Sequence, residues 1–173
     1  MRISTDIKAV LAKRGVTTLH EGPFDLPDKT ILEAPCSLKW MKAEYFLEMG
    51  AFSYAVSGYY FGVKIGRYTS IGEEVQIGRG SHPGVGAYAV VTKDVPPYTV
   101  VVGNPASIVK LRFPPKTIVR MQAIAWWRYA FWDLPGAPVA DPEAFLDHVE
   151  AAIQRGIAPY TPEKLTLSAL PDL

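Results

Sequence analysis

One histidine, His82, lies inside a glycine-rich stretch, GRGSHPGVGA, that covers residues 78–87. A neutral imidazole has a pKa of about 6.5, so it can accept a proton from a hydroxyl or amine that attacks a substrate. General-base assistance of this kind raises a rate by about 10²–10⁴-fold. A glycine-rich turn can also present backbone N–H groups to a developing oxyanion. The alternative interpretation of His82 is a loop histidine with no role.

The other reactive side chains carry weaker signals. His20 lies in a turn-rich stretch where no pattern supports a role. His148 lies among charged neighbours in a predicted helix, where we expect a solvated side chain. The single cysteine, Cys36, cannot form an internal disulfide, and we expect it to be a buried free thiol.

A six-residue rhythm precedes His82. Ile65, Ile71 and Ile77 are six positions apart, and each is followed by glycine. The fourth residue after each isoleucine is small or β-branched: Thr69, Val75 and Ser81. A period of six fits neither an α-helix nor a simple alternating strand, and it is typical of hexapeptide-repeat β-helices. Each unit would supply one strand and one tight turn, with aliphatic side chains inside a triangular coil and glycine at the turn. The alternative is a chance recurrence of Ile-Gly pairs in an ordinary β protein.

The rhythm slips at His82. Continuing from Ile77, the next interior positions would be Pro83 and Ala89, but the pattern resumes at Val85, two positions late. Because a shift of two residues preserves the inward and outward alternation of a strand, the fold can continue through the offset.

Helices are predicted on both sides of the repeat. A short amphipathic helix covers residues 4–14, with Ser4 or Thr5 as cap and Gly15 as its end. The stretch PPKTIVRMQAIAWWRYAFW, residues 114–132, has apolar residues at helical spacing. Three of its tryptophans could stack on a sugar, although packing is the favoured interpretation: Trp126, Trp127 and Trp132.

A further helix is predicted in DPEAFLDHVEAAIQRG, with Asp141 as cap and Gly156 as its end. The predicted buried face of this helix consists of Phe145, Val149, Ala152 and Ile153. Residues 158–173 are expected to be a loosely held tail. We therefore predict a single domain, 1–173, with three parts: a helix and turns in 1–30, a β-helix in 31–107, and a helical segment with a tail in 108–173.

The charge balance excludes some classes of partner. The chain has 173 residues with 18 basic and 17 acidic side chains, a net charge of +1. This balance predicts no binding of nucleic acid or of an anionic membrane. The first residues, MRISTDIKAVLAKRG, are typical of neither a signal peptide nor a membrane span, so we expect a cytoplasmic protein.

Two long motifs resemble a known family. IGRYTSIGEEVQIGRGSHP, together with VGAYAVVTKDVPPYTVVVGNPASIVKLRF, is similar to the hexapeptide-repeat acyltransferases. The similarity is to the xenobiotic acetyltransferases and their relatives in polysaccharide and sugar-nucleotide modification. AWWRYAFWDL resembles the helix that closes those proteins. The resemblance covers roughly residues 30–135.

The resemblance implies a left-handed parallel β-helix that assembles as a homotrimer with acetyl-CoA sites between subunits. It implies acetyl transfer to a hydroxyl or amine of a sugar or similar small-molecule acceptor, without a metal, and His82 falls on the catalytic histidine. The residues that fall on the part of the motif along the pantetheine arm are Gly86, Ala87, Thr92 and Lys93. Lys93, Lys110 and Arg112 are candidates for the CoA phosphates, with solvated surface charge as the alternative for Lys110 and Arg112.

The chain departs from the family pattern between Pro83 and Gly84. Family members carry a long loop and further coils here, and those residues are missing from this sequence. Either the segment is deleted, or the protein is longer and the sequence omits the segment. A true deletion would remove much of the acetyl-CoA site, so a second hypothesis is a non-catalytic scaffold that does not bind acetyl-CoA. A third, the metal-dependent carbonic anhydrase built on the same repeat, needs three zinc-binding histidines, whereas only His82 lies in the repeat.

Overall fold

The computed structural model describes residues 1–78 and 90–170, and these residues form mostly short strands with helices before and after them. The strands are β1 (Arg2–Ile3), β2 (Val16–Thr17), β3 (Phe24–Asp25), β4 (Thr30–Glu33), β5 (Cys36–Ser37), β6 (Trp40–Met49), β7 (Ser53–Ala55), β8 (Ser57–Ile65), β9 (Ser70–Ile71), β10 (Val75–Ile77), β11 (Val90–Val91), β12 (Thr99–Val102), β13 (Ser107–Leu111) and β14 (Lys164–Thr166). The α-helices are α1 (Thr5–Lys13), α2 (Pro115–Ile124) and α3 (Pro142–Gln154). Short 3₁₀ turns cover Trp126–Arg128, Phe131–Asp133 and Leu167–Ala169.

The strands stack in parallel on three faces. On the first face, 40–44 of β6 pairs with 57–61 of β8, which is followed by β10 and then β11. The second face stacks β4 on 47–49 of β6 and 63–65 of β8. The third face has the order β2-β5-β7-β9. Successive coils therefore wind around three sides, and the predicted fold class, a β-helix with an N-terminal helix and C-terminal helices, is confirmed.

The corner between the first and second faces has a fixed backbone shape. Tyr45, Gly62 and Gly78 occupy this corner in successive coils, with φ values of 68°, 62° and 89°. A Cβ added at Gly78 would lie 2.0 Å from the carbonyl oxygen of Phe61, so glycine is required there on two grounds. Of the three glycines predicted to occupy turns, only Gly78 has a positive φ. Gly66 and Gly72 directly precede the turns at 67–68 and 73–74, in which Tyr68 and Glu74 take the positive φ.

The interior of the coils contains the predicted aliphatic residues. Ile65 lies on the second face and Ile71 on the third, and both are buried. Ile77 lies on the first face and packs against the same core as a partly buried side chain. Consecutive members of the six-residue rhythm thus occupy the three sides of one coil, as the rhythm predicts.

The chain interval between paired residues is shorter at the last pair of strands on the first face. Met41 pairs with Gly58 and Gly58 with Val75, each 17 positions later, and Leu47 pairs with Val63 after 16. Gln76 pairs with Val90 after only 14 positions. This interval is two or three positions shorter than those before it, and it contains the slip in the rhythm at His82.

The N-terminal helix matches its prediction. Ser4 caps α1, because its Oγ accepts a hydrogen bond from the backbone N–H of Ile7 at 3.2 Å. Gly15 follows the helix with a φ of 81°. Ile7 and Leu11 form the buried stripe of this helix.

The second predicted helix is shorter than expected. It ends at Ile124, because Ala125 takes a left-handed conformation with a φ of 51°, and the chain continues as 3₁₀ turns. The helical prediction for residues 125–132 is therefore wrong. The third helix begins as predicted at Asp141, whose carboxylate accepts hydrogen bonds from the backbone N–H groups of Glu143 and Ala144.

The buried face of α3 includes Val149 and Ala152, as predicted, but also Leu146, which was not predicted. Leu146, Val149 and Ala152 are buried on it. Phe145 and Ile153, which we predicted to be buried, are partly buried and pack against this cluster.

The prediction of a loosely held tail is wrong for residues 164–169, whereas 171–173 lie outside the described residues. Strand β14 pairs antiparallel with β4, with Leu165 opposite Leu32. Leu165 and Leu167 are 2% and 0% exposed and belong to the solenoid core. The tail therefore covers the edge of the second face at the first coil, an edge that would otherwise present unpaired backbone groups.

The chain divides into two compact units. The first comprises residues 1–95, 101–109 and 162–173, and it contains the coils. The second comprises residues 96–100 and 110–161, and it contains α2 and α3. In the second unit the guanidinium of Arg120 joins the two helices, because it bonds carboxylates of Glu143, Asp147 and Glu150 on α3. These hydrogen bonds raise the pKa of the Arg120 guanidinium. The pKa of the Glu143 carboxyl is lowered, first by a hydrogen bond from the Thr117 hydroxyl and then by the bond from Arg120.

Candidate functional site

The predicted base and part of the predicted acetyl-CoA site cannot be placed. His82, Gly86 and Ala87 lie outside the described residues. The described residues on either side of them are Gly78, directly after β10, and Val90, the first residue of β11. Because β10 and β11 pair in parallel, both ends of the segment that carries His82 lie on the first face.

Thr92 and Lys93 directly follow β11 in the first unit. Both side chains are exposed. Among the described residues the Lys93 ammonium has no carboxylate partner within ion-pair distance, so it is available to an anionic ligand. This position, one strand after the His82 segment, is where the resemblance expects acetyl-CoA to pass.

Lys110 and Arg112 belong to the second unit. Lys110 is exposed on β13 and makes no ion pair with any residue that the structure describes. The guanidinium carbon of Arg112 lies 5.9 Å from the ring centroid of Phe113, a cation–π arrangement, and a guanidinium is also suited to phosphate oxygens. Both side chains have the chemistry that the CoA phosphates need.

Tyr98 is a residue that the sequence did not single out. Its backbone has a φ of 58°, and its hydroxyl accepts a hydrogen bond from Trp126 Nε1 at 2.9 Å. Burial raises the pKa of Tyr98 by more than the Trp126 bond and the Arg112 charge lower it, so the phenol is neutral at physiological pH. The sequence signal was its place after Pro96 and Pro97, in the motif that carries the family resemblance.

The tryptophans divide between packing and exposure. Trp126 packs edge-on against Phe145 with ring centroids 5.5 Å apart, in agreement with the favoured interpretation. Trp132 is 49% exposed and makes edge contacts with Phe131 and Tyr160. A role in packing therefore accounts for Trp126 but only partly for Trp132.

The structure describes the contacts and burial of the other two histidines. His20 stacks on Phe24 with ring centroids 4.1 Å apart, and its Nε2 lies 3.1 Å from the carbonyl oxygen of Met41. His148 Nε2 is buried and has no hydrogen-bond partner among the described residues, so the prediction of a solvated ring is wrong for that atom. Cys36 is a buried free thiol, as predicted, and burial raises its pKa to about 12.

Among the described residues, an open cleft of about 570 Å³ lies outside the second face, over the side chains of Ile31, Glu48 and Lys64. No predicted site residue lines this cleft. Among residues 1–78 and 90–170, no three histidine, cysteine, aspartate or glutamate side chains converge to hold a metal ion. None of the described helices has the length and apolar character that crossing a bilayer requires.

Parallel strands on three faces, aliphatic interior residues six positions apart and recurring positive-φ corners define a hexapeptide-repeat β-helix protein. The curated proteins to which the chain is similar are acetyltransferases of the xenobiotic branch, and the resemblance inferred from the sequence is confirmed. No family model matches the chain.

Three relatives illustrate the similarity. Chloramphenicol acetyltransferase of Klebsiella aerogenes is 34% identical over 101 residues, which cover 54% of this chain and 47% of that protein. Chloramphenicol acetyltransferase of Escherichia coli is 42% identical over 65 residues, 38% of this chain and 30% of that protein. Virginiamycin A acetyltransferase of Staphylococcus aureus is 44% identical over 43 residues, 25% of this chain and 20% of that protein. The chain spans less than half the length of these relatives.

Proposed function

We propose that the protein is an acetyl-CoA-dependent acetyltransferase that modifies a hydroxyl or amine of a small molecule. The observation that carries the proposal is the similarity to chloramphenicol acetyltransferase over 101 residues. The acceptor is a sugar or a similar polyhydroxylated compound, and the names of the relatives add small antibiotics to the acceptors to be tested.

His82 acts as the general base in this proposal. Its imidazole takes the proton of the acceptor while the acceptor attacks the thioester carbon, and the resulting imidazolium protonates the departing thiolate of CoA. Support comes from the GSHP motif and from the absence of a second histidine in the repeat region of the sequence.

The proposed acetyl-CoA ligands are main-chain groups and exposed cations. Gly86, Ala87 and Thr92 border the pantetheine arm, and the ammonium groups of Lys93 and Lys110 attract the phosphates. The exposed, unpaired state of both lysines in the described structure supports this role. The assembly is a homotrimer, in which neighbouring subunits complete each site.

The test is acetyl transfer measured by release of the CoA thiol, with chloramphenicol and amino-sugar acceptors. His82→Ala is expected to lose at least about 10²-fold in rate, because the general base is removed. His148→Ala is the matched control, since it removes a histidine from α3 and is expected to retain the wild-type rate. Equal rates for His82→Ala and wild type would end the assignment of His82.

One observation favours a second candidate, a non-catalytic scaffold. Gln76 and Val90 pair across 14 positions of the chain, whereas the pairs between β6, β8 and β10 are 16 or 17 positions apart. Fewer residues between these strands leave less chain to form the wall of an acetyl-CoA site. If wild-type protein neither binds acetyl-CoA nor acetylates any acceptor, this second function replaces the first.

A further inference from the structure

Two hydrogen bonds to residues of the second unit hold Tyr98 in place. Its carbonyl oxygen accepts a hydrogen bond from the backbone N–H of Arg112 at 2.7 Å, and its hydroxyl oxygen accepts one from Trp126 Nε1 at 2.9 Å. The φ of Tyr98, 58°, lies in the left-handed region, which few residues other than glycine adopt. Because such a conformation persists only where its surroundings determine it, these two bonds fix the position of the tyrosine.

Two aromatic contacts connect the ring of Tyr98 to the guanidinium of Arg112. The ring centroids of Tyr98 and Phe113 lie 5.7 Å apart at an interplanar angle of 63°, which is an edge contact. The guanidinium carbon of Arg112 lies 5.9 Å from the centroid of the same Phe113 ring. Phe113 therefore contacts both the tyrosine and the cation, and Trp126 links the tyrosine to Phe145 of α3.

Arg112 is an exposed cation whose orientation is restrained. It forms no ion pair with a residue that the structure describes. A freely mobile arginine loses side-chain entropy when it binds a phosphate group, and a restrained arginine loses less. Contact with the Phe113 ring restrains the guanidinium without neutralising its charge. Burial raises the pKa of Tyr98 by more than the other contacts lower it, so a neutral phenol does not compete with phosphate for Arg112.

We propose that Tyr98 positions Arg112, through the ring of Phe113, for the phosphate groups of acetyl-CoA. Because acetyl-CoA is the ligand, this role rests on the proposed function. Tyr98 is a positioning residue, since its hydroxyl is bonded to Trp126 and it acts on the ligand only through Arg112. Removal of the hydroxyl is therefore expected to weaken acetyl-CoA binding only while Arg112 is present.

The test is a double-mutant cycle in which calorimetric titration measures the dissociation constant of acetyl-CoA. Arg112→Ala is expected to raise this constant at least about tenfold, because a charged donor to the phosphates is lost. Tyr98→Phe is expected to raise it about threefold or more in the wild-type background and to leave it unchanged in the Arg112→Ala background. Phe113→Leu removes the ring that contacts both residues, so it should have the same dependence on Arg112.

Tyr60→Phe is the matched control for Tyr98→Phe. It also removes a hydrogen-bonded phenol hydroxyl, which in the coils donates to the carbonyl oxygen of Ser57. This variant is expected to bind acetyl-CoA like wild type. Thermal unfolding shows whether each variant is folded at the temperature of the titration, and Phe113→Leu supplies the comparison if Tyr98→Phe is not.

Three outcomes would overturn the proposal. An equal loss of affinity from Tyr98→Phe in both backgrounds means that its hydroxyl stabilises the second unit and does not act through Arg112. Unchanged affinity in Tyr98→Phe or in Arg112→Ala means that the residue has no part in binding. Both of these results leave the acetyltransferase proposal in place. Absence of acetyl-CoA binding by wild-type protein instead overturns the proposed function and the role of Tyr98 together.

Discussion

Gln76 and Val90 lie side by side on neighbouring parallel strands of the first face, although only 14 positions separate them. The preceding strand of that face pairs at the same height after 17 positions, as Tyr59 does with Gln76. The stack of strands on the first face therefore continues from β10 to β11, on either side of the residues that carry the sequence slip. The proposed activity depends on His82, which lies between these two strands in the chain.

The corner at Gly78 is expected to tolerate no side chain. Gly78→Ala places a Cβ 2.0 Å from the carbonyl oxygen of Phe61 at a φ of 89°, and the free energy of unfolding should fall by about 2–4 kcal/mol. Gly72→Ala is the matched control, because Gly72 also follows an isoleucine of the repeat but has nothing within 4 Å of an added Cβ. Urea denaturation of both variants measures the difference, and equal midpoints would contradict the assigned corner.

The buried C-terminal strand should contribute to global stability. Leu165 is 2% exposed, so Leu165→Ala is expected to lower the free energy of unfolding by about 2–5 kcal/mol. Leu19→Ala makes the same change at a position that is 48% exposed and should cost about 0.5 kcal/mol or less. A Leu165 variant as stable as the Leu19 variant would mean that the tail does not pack on the core.

The free energy of unfolding should fall in acid because the Glu33 carboxylate becomes protonated. Burial opposes ionisation of this carboxyl, but the Arg67 hydrogen bond and charge outweigh it, so the pKa of Glu33 lies below its ordinary value of 4.5. A lowered folded-state pKa contributes stability that is full above 4.5 and is lost as pH falls through the folded value. Glu33→Gln should therefore flatten the loss of stability between neutral pH and about pH 3.

Glu48→Gln is the control for this pH profile. Glu48 pairs with Lys64 at 2.8 Å, but the two side chains are 39% and 70% exposed, so solvent screens the pair. The dependence of stability on pH in Glu48→Gln should match that of wild type. A Glu33→Gln profile that also matches wild type would show that the Arg67 contact has no thermodynamic effect.

The thiol of Cys36 should be inert in the folded protein. Because burial raises its pKa to about 12, little of the thiol is ionised at pH 8, and the sulfur is also shielded from reagents. Ellman's reagent is expected to react only after denaturant unfolds the coils. Stoichiometric reaction within seconds under native conditions would place Cys36 at the surface.

The sequence predicted the parts of the fold that local patterns control. The spacing of Ile65, Ile71 and Ile77 determines which side chains enter the coil, and the caps at Ser4 and Asp141 mark helix starts. It overestimated α2, because the left-handed turn at Ala125 has no sequence signal comparable to a glycine. It also missed β14, since pairing between Leu165 and Leu32 joins residues far apart in the chain.

The candidate site was predictable only through motifs. Nothing in the periodicity distinguishes a catalytic imidazole from a loop histidine, and the GSHP resemblance supplied the role proposed for His82. Tyr98 and its bond to Trp126 required coordinates, because the two residues are 28 positions apart. The exposure of the Lys93 side chain supports its proposed role in binding the CoA phosphates, but the motif alone did not predict this exposure.

The most direct test is calorimetric titration of the protein with acetyl-CoA. If the chain retains an acetyl-CoA site, the titration is expected to give a saturable binding isotherm. Free CoA is expected to compete with acetyl-CoA for the same site. Lys93→Ala should weaken this binding without a loss of thermal stability, because the side chain is exposed and unpaired among the described residues. Absence of heat, together with absence of competition by CoA, would contradict the acetyltransferase account and leave the scaffold function in its place.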